Sequence, residues 1–402
     1  MSDLPKTICA LPWISIEAGP LGALKPCCMA QDEIVDENGN KYDLNTTTLE
    51  TVYNSKYMQE LRKQFREGVM PATCKRCWDE EKAGKPSKRI YSKPIIGEMY
   101  EQIDWYNDEP NQLWFLDLKL GNICNLRCRI CSAYASSKWA EEDMDFLPDN
   151  KDRTSTVSYS MLKQGAWPRK TQTFWDNLKK LLPNVKYFEF TGGEPWLIKE
   201  HVNLLQFAVE QGYSKNIKIH YNTNATQTPS KLAELWTNFK HVDIAFSIDN
   251  VGERYEYERY GAQWNVVNDN IDKVHRLRDT QTNISTQLCF TINIQNVYYI
   301  DELLQWAETK NFGNIYFNML HVPSFMCIHF LTPQAKELII NKFNSINWKD
   351  CYKRDVNNVI QFINNGAGSD GTEFISYIKK TDARRNQSFM STHKEIATAM
   401  GY

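Results

Sequence analysis

From Leu113 to Leu320 the chain alternates short apolar runs with helical spacings, and that alternation narrows the folds open to it. Leu113–Leu120, Val185–Thr191, Ile217–Tyr221, Val242–Ile248, Ser285–Ile294 and Ile315–Leu320 have the length and composition of strands. Between and after them, Ala135 to about Asp145, Thr173–Leu182, Lys199–Gln211, Ser230–Phe239, Asn265–Arg278 and Ile300–Lys310 read as helices. Strands alternating with helices build βαβ units and a parallel sheet. Six of them predict an α/β fold, a partial (β/α)6 TIM-like barrel open on one side. In such barrels the chemistry sits on loops at the C-terminal ends of the strands. Residues 146–171 are polar and proline-bounded and read as an insertion. From about Leu331 to Tyr402 the chain reads as a helical C-terminal extension. Its helices are expected at Ala335–Phe343 and Asn357–Ile363, with Gly366–Gly371 as a flexible joint.

The first strand runs into Leu120-Gly121-Asn122-Ile123-Cys124-Asn125-Leu126-Arg127-Cys128-Arg129-Ile130-Cys131, a C-x3-C-x2-C run with no fourth cysteine nearby. A cubane cluster normally takes four thiolates, so three leave one iron open to another ligand. Zinc and a disulfide are the other readings. Structural zinc prefers paired knuckles that complete four ligands, and a disulfide needs an oxidising compartment.

The 402 residues are 42% hydrophobic and 24% charged, enough for one large domain and a smaller one. The net charge of −2 argues against a dedicated nucleic-acid binder. The start, Met1-Ser2-Asp3-Leu4-Pro5-Lys6, lacks a leader pattern, and no apolar run approaches membrane-spanning length. A cytoplasmic protein is expected, and there eleven cysteines point to metal rather than disulfides. Cys289, Cys327 and Cys351 are scattered and read as ordinary thiols.

Three further motifs end strands. Thr191-Gly192-Gly193-Glu194-Pro195 allows close backbone approach to a ligand with a carboxylate beside it, or is a plain turn. Asn222-Thr223-Asn224-Ala225 offers an amide to a ligand, or Asn224 as a turn former. Phe246-Ser247-Ile248-Asp249-Asn250 is followed by Arg259, whose guanidinium suits a carboxylate. Asp249 is a substrate-side acid or base, or a cap on the next element, and Arg254 competes with Arg259. Upstream stand Cys9, Cys27, Cys28 and the C-x2-C pair Cys74 and Cys77.

The run Cys124-Asn125-Leu126-Arg127-Cys128-x-x-Cys131 resembles the cluster loop of the radical S-adenosylmethionine (SAM) superfamily, with Ile130 where the family often has an aromatic. The resemblance implies a catalytic [4Fe–4S] cluster on Cys124, Cys128 and Cys131. SAM would bind the open iron and be cleaved reductively to a 5′-deoxyadenosyl radical that abstracts hydrogen. It further implies that Gly192, Gly193 and Glu194 contact the SAM amino group, Asn224 the ribose or methionine part, Ser247 the sugar and Arg259 the SAM carboxylate.

Cys9-Ala10-Leu11-Pro12-Trp13, the G-x4-C from Gly22 to Cys27, and Cys74-x2-Cys77 resemble the auxiliary-cluster region of SPASM and twitch domains. This implies a second, auxiliary [4Fe–4S] cluster on Cys9, Cys27, Cys74 and Cys77, with Cys28 replacing Cys27 or spare. Structural zinc is the alternative. The region precedes the barrel instead of following it, and the C-x5-C-x3-C ending of a full SPASM domain is absent. The expected domains are 1–83 for the auxiliary region, 84–112 for a linker, 113–330 for the barrel and 331–402 for the extension. Thr48–Glu67 reads as a helix whose basic residues face solvent.

The reading is therefore an oxidoreductase or transferase that draws electrons from a donor such as flavodoxin or ferredoxin. Its expected substrate is a peptide or protein side chain, with neither membrane nor nucleic acid as partner. The rival is a two-cluster electron carrier or redox sensor without SAM chemistry, against which the Gly192-Gly193-Glu194 and Asn224 motifs speak. A zinc-binding RNA-interaction protein is a third reading, opposed by the near-neutral charge.

Overall fold

The computed structural model describes residues 4–402 except Ala83, Lys85, Asn111, Ala166, Arg169 and Lys170. Met1–Asp3, part of the stretch read for a leader pattern, and the expected boundary at Ala83 lie outside the described residues. The strands are β1 (Ser15–Ala18), β2 (Leu24–Lys25), β3 (Phe115–Lys119), β4 (Arg127–Cys128) and β5 (Tyr187–Thr191), then β6 (Lys218–Thr223), β7 (His241–Ser247), β8 (Arg259–Tyr260), β9 (Ile284–Ile292) and β10 (Asn314–Met319). The chain falls into two compact units, one of residues 1–125, 133–222 and 229–243, the other of 126–132, 223–228 and 244–402.

In the first unit the strand order is β6-β5-β3-β1-β2. Pairing is parallel from β6 to β1, and only β2 is antiparallel. Strand alternation gives this sheet two unlike faces. Leu116, Leu118, Phe188, Phe190, Ile219 and Tyr221 point to one side and are fully buried. There Phe190 and Tyr221 stack at 5.5 Å, and Tyr221 meets Trp236 of the helix Ser230–Trp236 at 5.8 Å. His201, on the helix Lys199–Glu210, bonds the Tyr221 hydroxyl at 2.7 Å, and burial pushes its imidazole down to about 4, so it serves this core as a neutral ring. The other face carries Glu17, Asp117, Lys119, Glu189 and His220 in place of aliphatic side chains.

In the second unit β9 and β10 pair in parallel, and the Ile248 N–H after β7 donates to the Cys289 carbonyl on β9. A two-stranded antiparallel ribbon joins β4 to β8. Strands β2 and β10 each have one neighbour, so no closed ring of strands forms among the described residues. The fold is the expected mixed α/β architecture with a mostly parallel, open sheet.

All six expected strands are present, and three local readings are corrected: the unbroken helix over Thr48–Glu67, its solvated basic face and the flexible joint. The helix expected over Thr48–Glu67 breaks into Leu49–Tyr53, whose N-cap Thr48 accepts from the Thr51 N–H, and Lys56–Arg66, before which Ser55 takes an extended backbone. Its basic residues are not all solvated. Arg62 is fully buried and donates to the carbonyls of Pro12, Tyr53 and Asp108 at 2.7–2.9 Å. The insertion holds a helix, Val157–Gln164, capped by Thr156. The supposed joint is tied down: a Cβ on Gly366 would lie 2.6 Å from His329 Cα, and the Gly368 N–H donates to the His329 carbonyl. Residues 84–112, expected as a linker, carry the helices Lys88–Ile96 and Glu98–Glu101. The extension is helical, at Pro333–Ser345, Asp350–Asn364, Thr372–Arg385, Phe389–Thr392 and Lys394–Met400.

Candidate active site

The cysteine loop leaves β3 through Gly121 and Asn122. Asn122 is 1% exposed and pins the loop from three directions. Its backbone N–H donates to Gly165 O at 2.8 Å, its side chain donates to Ala133 O at 2.8 Å, and its carbonyl accepts from the Ser137 N–H at 2.7 Å. The Ser137 hydroxyl in turn meets both the N–H and the carbonyl of Cys124, at 3.4 and 3.3 Å. Ser136 caps the helix Ser137–Asp145 that follows.

The glycine turn after β5 sits against the same loop. The Glu194 N–H donates to Ile123 O at 2.7 Å. Gly193 has φ +55°, and a Cβ there would lie 2.4 Å from Ile123 O. Gly192, at φ +75°, would place a Cβ 3.0 Å from the Lys119 side chain. Both positions therefore need glycine, for backbone conformation and for space. Glu194 is fully buried, and its carboxylate accepts from the Trp196 N–H at 3.2 Å, closing the turn Pro195–Leu197.

The second unit holds Cys128 and Cys131, joined by a Cys131 N–H bond to Cys128 O at 2.9 Å. Strand β8 brings Arg259 opposite Cys128 in the β4–β8 ribbon. The guanidinium lies 3.8 Å from the Cys128 sulfur and pairs with Asp249 at 2.7 Å. Asp249 is 2% exposed and also accepts from the Thr291 N–H at 2.8 Å. It thus orients Arg259 and does not cap the following helix, whose N-cap is Val251. A hydrogen bond with Cys131, then the Arg259 charge, hold the Cys128 thiol below its ordinary value despite burial. A lowered thiol is the chemistry a metal ligand needs. Arg254, the competitor, pairs with Glu302. Ser247 is half-buried at the end of β7. The Asn224 amide oxygen holds its own turn, accepting from Thr226 N and Oγ1 at 3.0 and 2.7 Å. Ala225 takes φ +57°, the conformation glycine would adopt without strain.

Sequence reasoning missed what grips this loop. Arg129 is fully buried and donates to Asp382 at 2.6 Å, to Gln387 at 2.9 Å and to Tyr257 O at 3.1 Å. Asp382, on the helix Thr372–Arg385, also accepts from the Tyr257 hydroxyl, the Phe389 N–H and the Tyr402 hydroxyl at 2.7–2.9 Å. Nothing local in the sequence marks Asp382, since its partner lies 253 residues away.

In the N-terminal region the structure sorts the cysteines. Cys9, Cys27, Cys74 and Cys77 act on one another's charge. Burial raises all four thiols, Cys74 to about 12, and negative neighbours raise them further. Such a set is strained as bare thiolates and suited to a cationic metal centre, which inverts that balance. Arg89 lies beside Cys9, Cys74 and Cys77 as a fixed positive charge. Cys28 has different neighbours, chiefly Lys88, Asp117 and Glu189. Among the described residues no three Cys, His, Asp or Glu side chains converge tightly enough to hold a metal ion, and no helix is long and apolar enough to cross a membrane.

The cysteine loop thus follows a parallel strand of an α/β fold, with a glycine turn packed on its backbone. Residues 118–307 match the radical SAM superfamily, and residues 9–78 match SPASM, an iron–sulfur cluster-binding domain. The chain thus carries a radical SAM domain and, N-terminal to it, a SPASM region. These two domains imply a SAM-binding [4Fe–4S] cluster, SAM and auxiliary iron–sulfur ligation. The lowered Cys128 thiol beside Arg259, and the mutual charge of Cys9, Cys27, Cys74 and Cys77, suit thiolate ligation in chemistry, although among the described residues neither set is drawn together tightly enough to hold a metal ion.

Similar solved structures include anSMEcpe with bound AdoMet and Cp18Cys peptide, 15% identical, covering 61% of each chain at a TM-score of 0.37. Streptococcus suis SuiB bound to S-adenosylmethionine is 15% identical, with 91% of this chain and 72% of that one covered at 0.37. The methyltransferase TsrM from Kitasatospora setae is 11% identical, with 51% and 36% covered at 0.36. This chain thus spans about three fifths of the length of anSMEcpe. No curated protein matches it by sequence.

Proposed function

We propose that this chain is a radical SAM enzyme that modifies a peptide or protein side chain, with Cys124, Cys128 and Cys131 holding the SAM-binding cluster. When bound, that cluster supplies the electron that cleaves SAM to methionine and a hydrogen-abstracting 5′-deoxyadenosyl radical. The observation that carries the proposal is the glycine turn seated on the cysteine loop, where Gly193 and Glu194 meet the Ile123 backbone. Ile123 immediately precedes Cys124, so this contact fixes the loop and the proposed SAM cradle as one piece.

The chain's own residues have separable tasks in this reading. Gly192 and Gly193 leave backbone open to the SAM amino group, with Glu194 closing their turn. Asn224 and Ser247 stand at strand ends for the ribose and methionine portions. Arg259 donates toward the Cys128 sulfur and is held there by Asp249, so its position serves the ligand thiolate as well as a SAM carboxylate. Cys9, Cys27, Cys74 and Cys77 hold the auxiliary cluster, and Cys28 does not belong to that set. The proposed domains are 1–83, 84–112, 113–330 and 331–402. Electrons come from a small donor such as flavodoxin or ferredoxin. Peptides are bound in the anSMEcpe and SuiB structures, and a peptide or protein side chain is the substrate class proposed for this chain.

The test is anaerobic reconstitution with iron and sulfide, followed by reductant and SAM. The expected result is 5′-deoxyadenosine with about eight irons per chain, two cubanes. Cys128→Ala is expected to abolish that product and to keep about four irons in the auxiliary site. Full cleavage by Cys128→Ala would remove the central assignment.

A further inference from the structure

In the first unit, one titratable residue per strand stands at the same level. Glu17 on β1 is in register with Asp117 on β3, Asp117 with Glu189 on β5, and Glu189 with His220 on β6. His220 Nδ1 lies 2.8 Å from Asp243 at the start of β7. Neighbouring strands are about 4.8 Å apart, so these side chains form a continuous row on one face.

The row contains three ion pairs and one carboxyl too many. Lys88 pairs with Glu189 at 3.1 Å, His220 with Asp243, and Lys119 with Glu17. Asp117 stands between Glu17 and Glu189, is 3% exposed, and receives the Thr191 hydroxyl at 3.4 Å. Glu17 Oε2, on a residue 6% exposed, has no hydrogen-bond partner among the described residues. Four carboxylates thus face two lysines and one histidine, and the row is one cation short. Adjacent like charges repel, and a buried carboxylate without a counter-ion is costly. Burial first, then Glu189 and Glu17, push the Asp117 carboxyl up to about 7 against the pull of Lys119 and Lys88. Cys28 borders the row as well, and burial keeps its thiol neutral.

We propose that Glu17, Asp117 and Glu189 form a recognition site for a cationic group of the substrate, an ammonium or guanidinium, with Asp117 as its counter-ion. Such a group balances the row at four positive and four negative charges and gives Glu17 Oε2 an N–H donor. A guanidinium brings five donors in a fixed fork. The inference rests on the radical SAM reading only for calling the ligand a substrate.

The probe is Nα-acetyl-arginine amide, compared with the neutral Nα-acetyl-norleucine amide, by equilibrium dialysis against the full chain. The arginine probe is expected to bind about tenfold tighter or more. Its affinity is expected to rise from pH 6 to pH 8 as Asp117 ionises. Asp117→Asn is expected to remove both the preference and the pH dependence, and Glu17→Gln to weaken the preference. Equal binding of the two probes by the wild type, or a preference that survives Asp117→Asn, overturns the proposal. SAM affinity is measured on the same variant. A loss matching the arginine loss would assign the cation to SAM itself and also overturn it. Release of 5′-deoxyadenosine on reduction is scored separately. A cation-selective protein that never cleaves SAM refutes the enzyme reading and leaves the row, and cleavage without cation selectivity does the reverse.

Discussion

Arg259 shows how one side chain is fixed by partners drawn from two separate motifs. Asp249 holds it at 2.7 Å, and it reaches the Cys128 sulfur at 3.8 Å. Hydrogen bonds and positive charge at ligand sulfurs raise a cluster's reduction potential. Arg259→Gln is therefore expected to make the SAM-site cluster harder to reduce, read as a more negative midpoint in an EPR-monitored titration. An unchanged midpoint would show that the contact has no electrostatic effect. Gly193→Ala tests the cradle. At φ +55° a side chain costs about 1–2 kcal/mol, and its Cβ would sit 2.4 Å from Ile123 O. The expected outcome is at least a tenfold loss of SAM affinity with an unchanged circular dichroism spectrum. Spacing made the cysteine triad and the glycine pair legible, because their chemistry lies within a few residues. The fate of Cys28 was not legible, because it depends on Lys88, Asp117 and Glu189 arriving from elsewhere in the chain.

At the scale of elements, the strands of the barrel were readable from composition and the short N-terminal strand was not. β1 has four residues, all buried, and its partner β3 begins a hundred residues later. The helix Thr372–Arg385 was also missed, although its Asp382 holds Arg129 in the cysteine loop. Asp382→Ala leaves a buried guanidinium without its counter-ion and strips an acceptor from two tyrosines. Breaking such a pair typically costs about 3–5 kcal/mol. Urea unfolding should show a loss of that order, and reconstituted iron should fall at the SAM site first. Retention of both would mean that Gln387 and the Tyr257 ring suffice to hold Arg129, which lies 3.7 Å from that ring. A second buried contact, between Glu258 and His393 at 3.3 Å, is not a salt bridge in effect. Burial pushes Glu258 up to about 7 and His393 well below its usual value, so near pH 7 the histidine is neutral and the carboxyl only partly ionised.

For the molecule as a whole, the charged row contributes to how stability follows pH. Asp117 is pushed up to about 7 in the folded chain, whereas an unfolded aspartate titrates near 4. Folding then favours the protonated form. Its contribution is fully present below about pH 4 and is lost as pH rises toward 7. Asp117→Asn is expected to raise the melting temperature, and by more at pH 8 than at pH 5. A shift equal at both pH values would show that Asp117 is ionised throughout. The residues of the row were visible in the sequence, each as a polar residue between two apolar neighbours. What aligned them was the register of strands distant in the chain, and no local pattern carries that.

The β1–β3 pairing also orders events during synthesis. The N-terminal cysteines emerge first, yet Ser15–Ala18 has only the two-residue strand Leu24–Lys25 to join until Phe115–Lys119 has been made. At about 5–20 residues per second, that is a wait of roughly 5–20 s. For that interval Cys9, Cys27, Cys74 and Cys77 sit on a chain that cannot complete its sheet, open to whatever delivers or oxidises them. Removing the N-terminal region would create the converse problem, since it leaves β3 with a bare edge of unpaired backbone groups of the kind that recruits other chains.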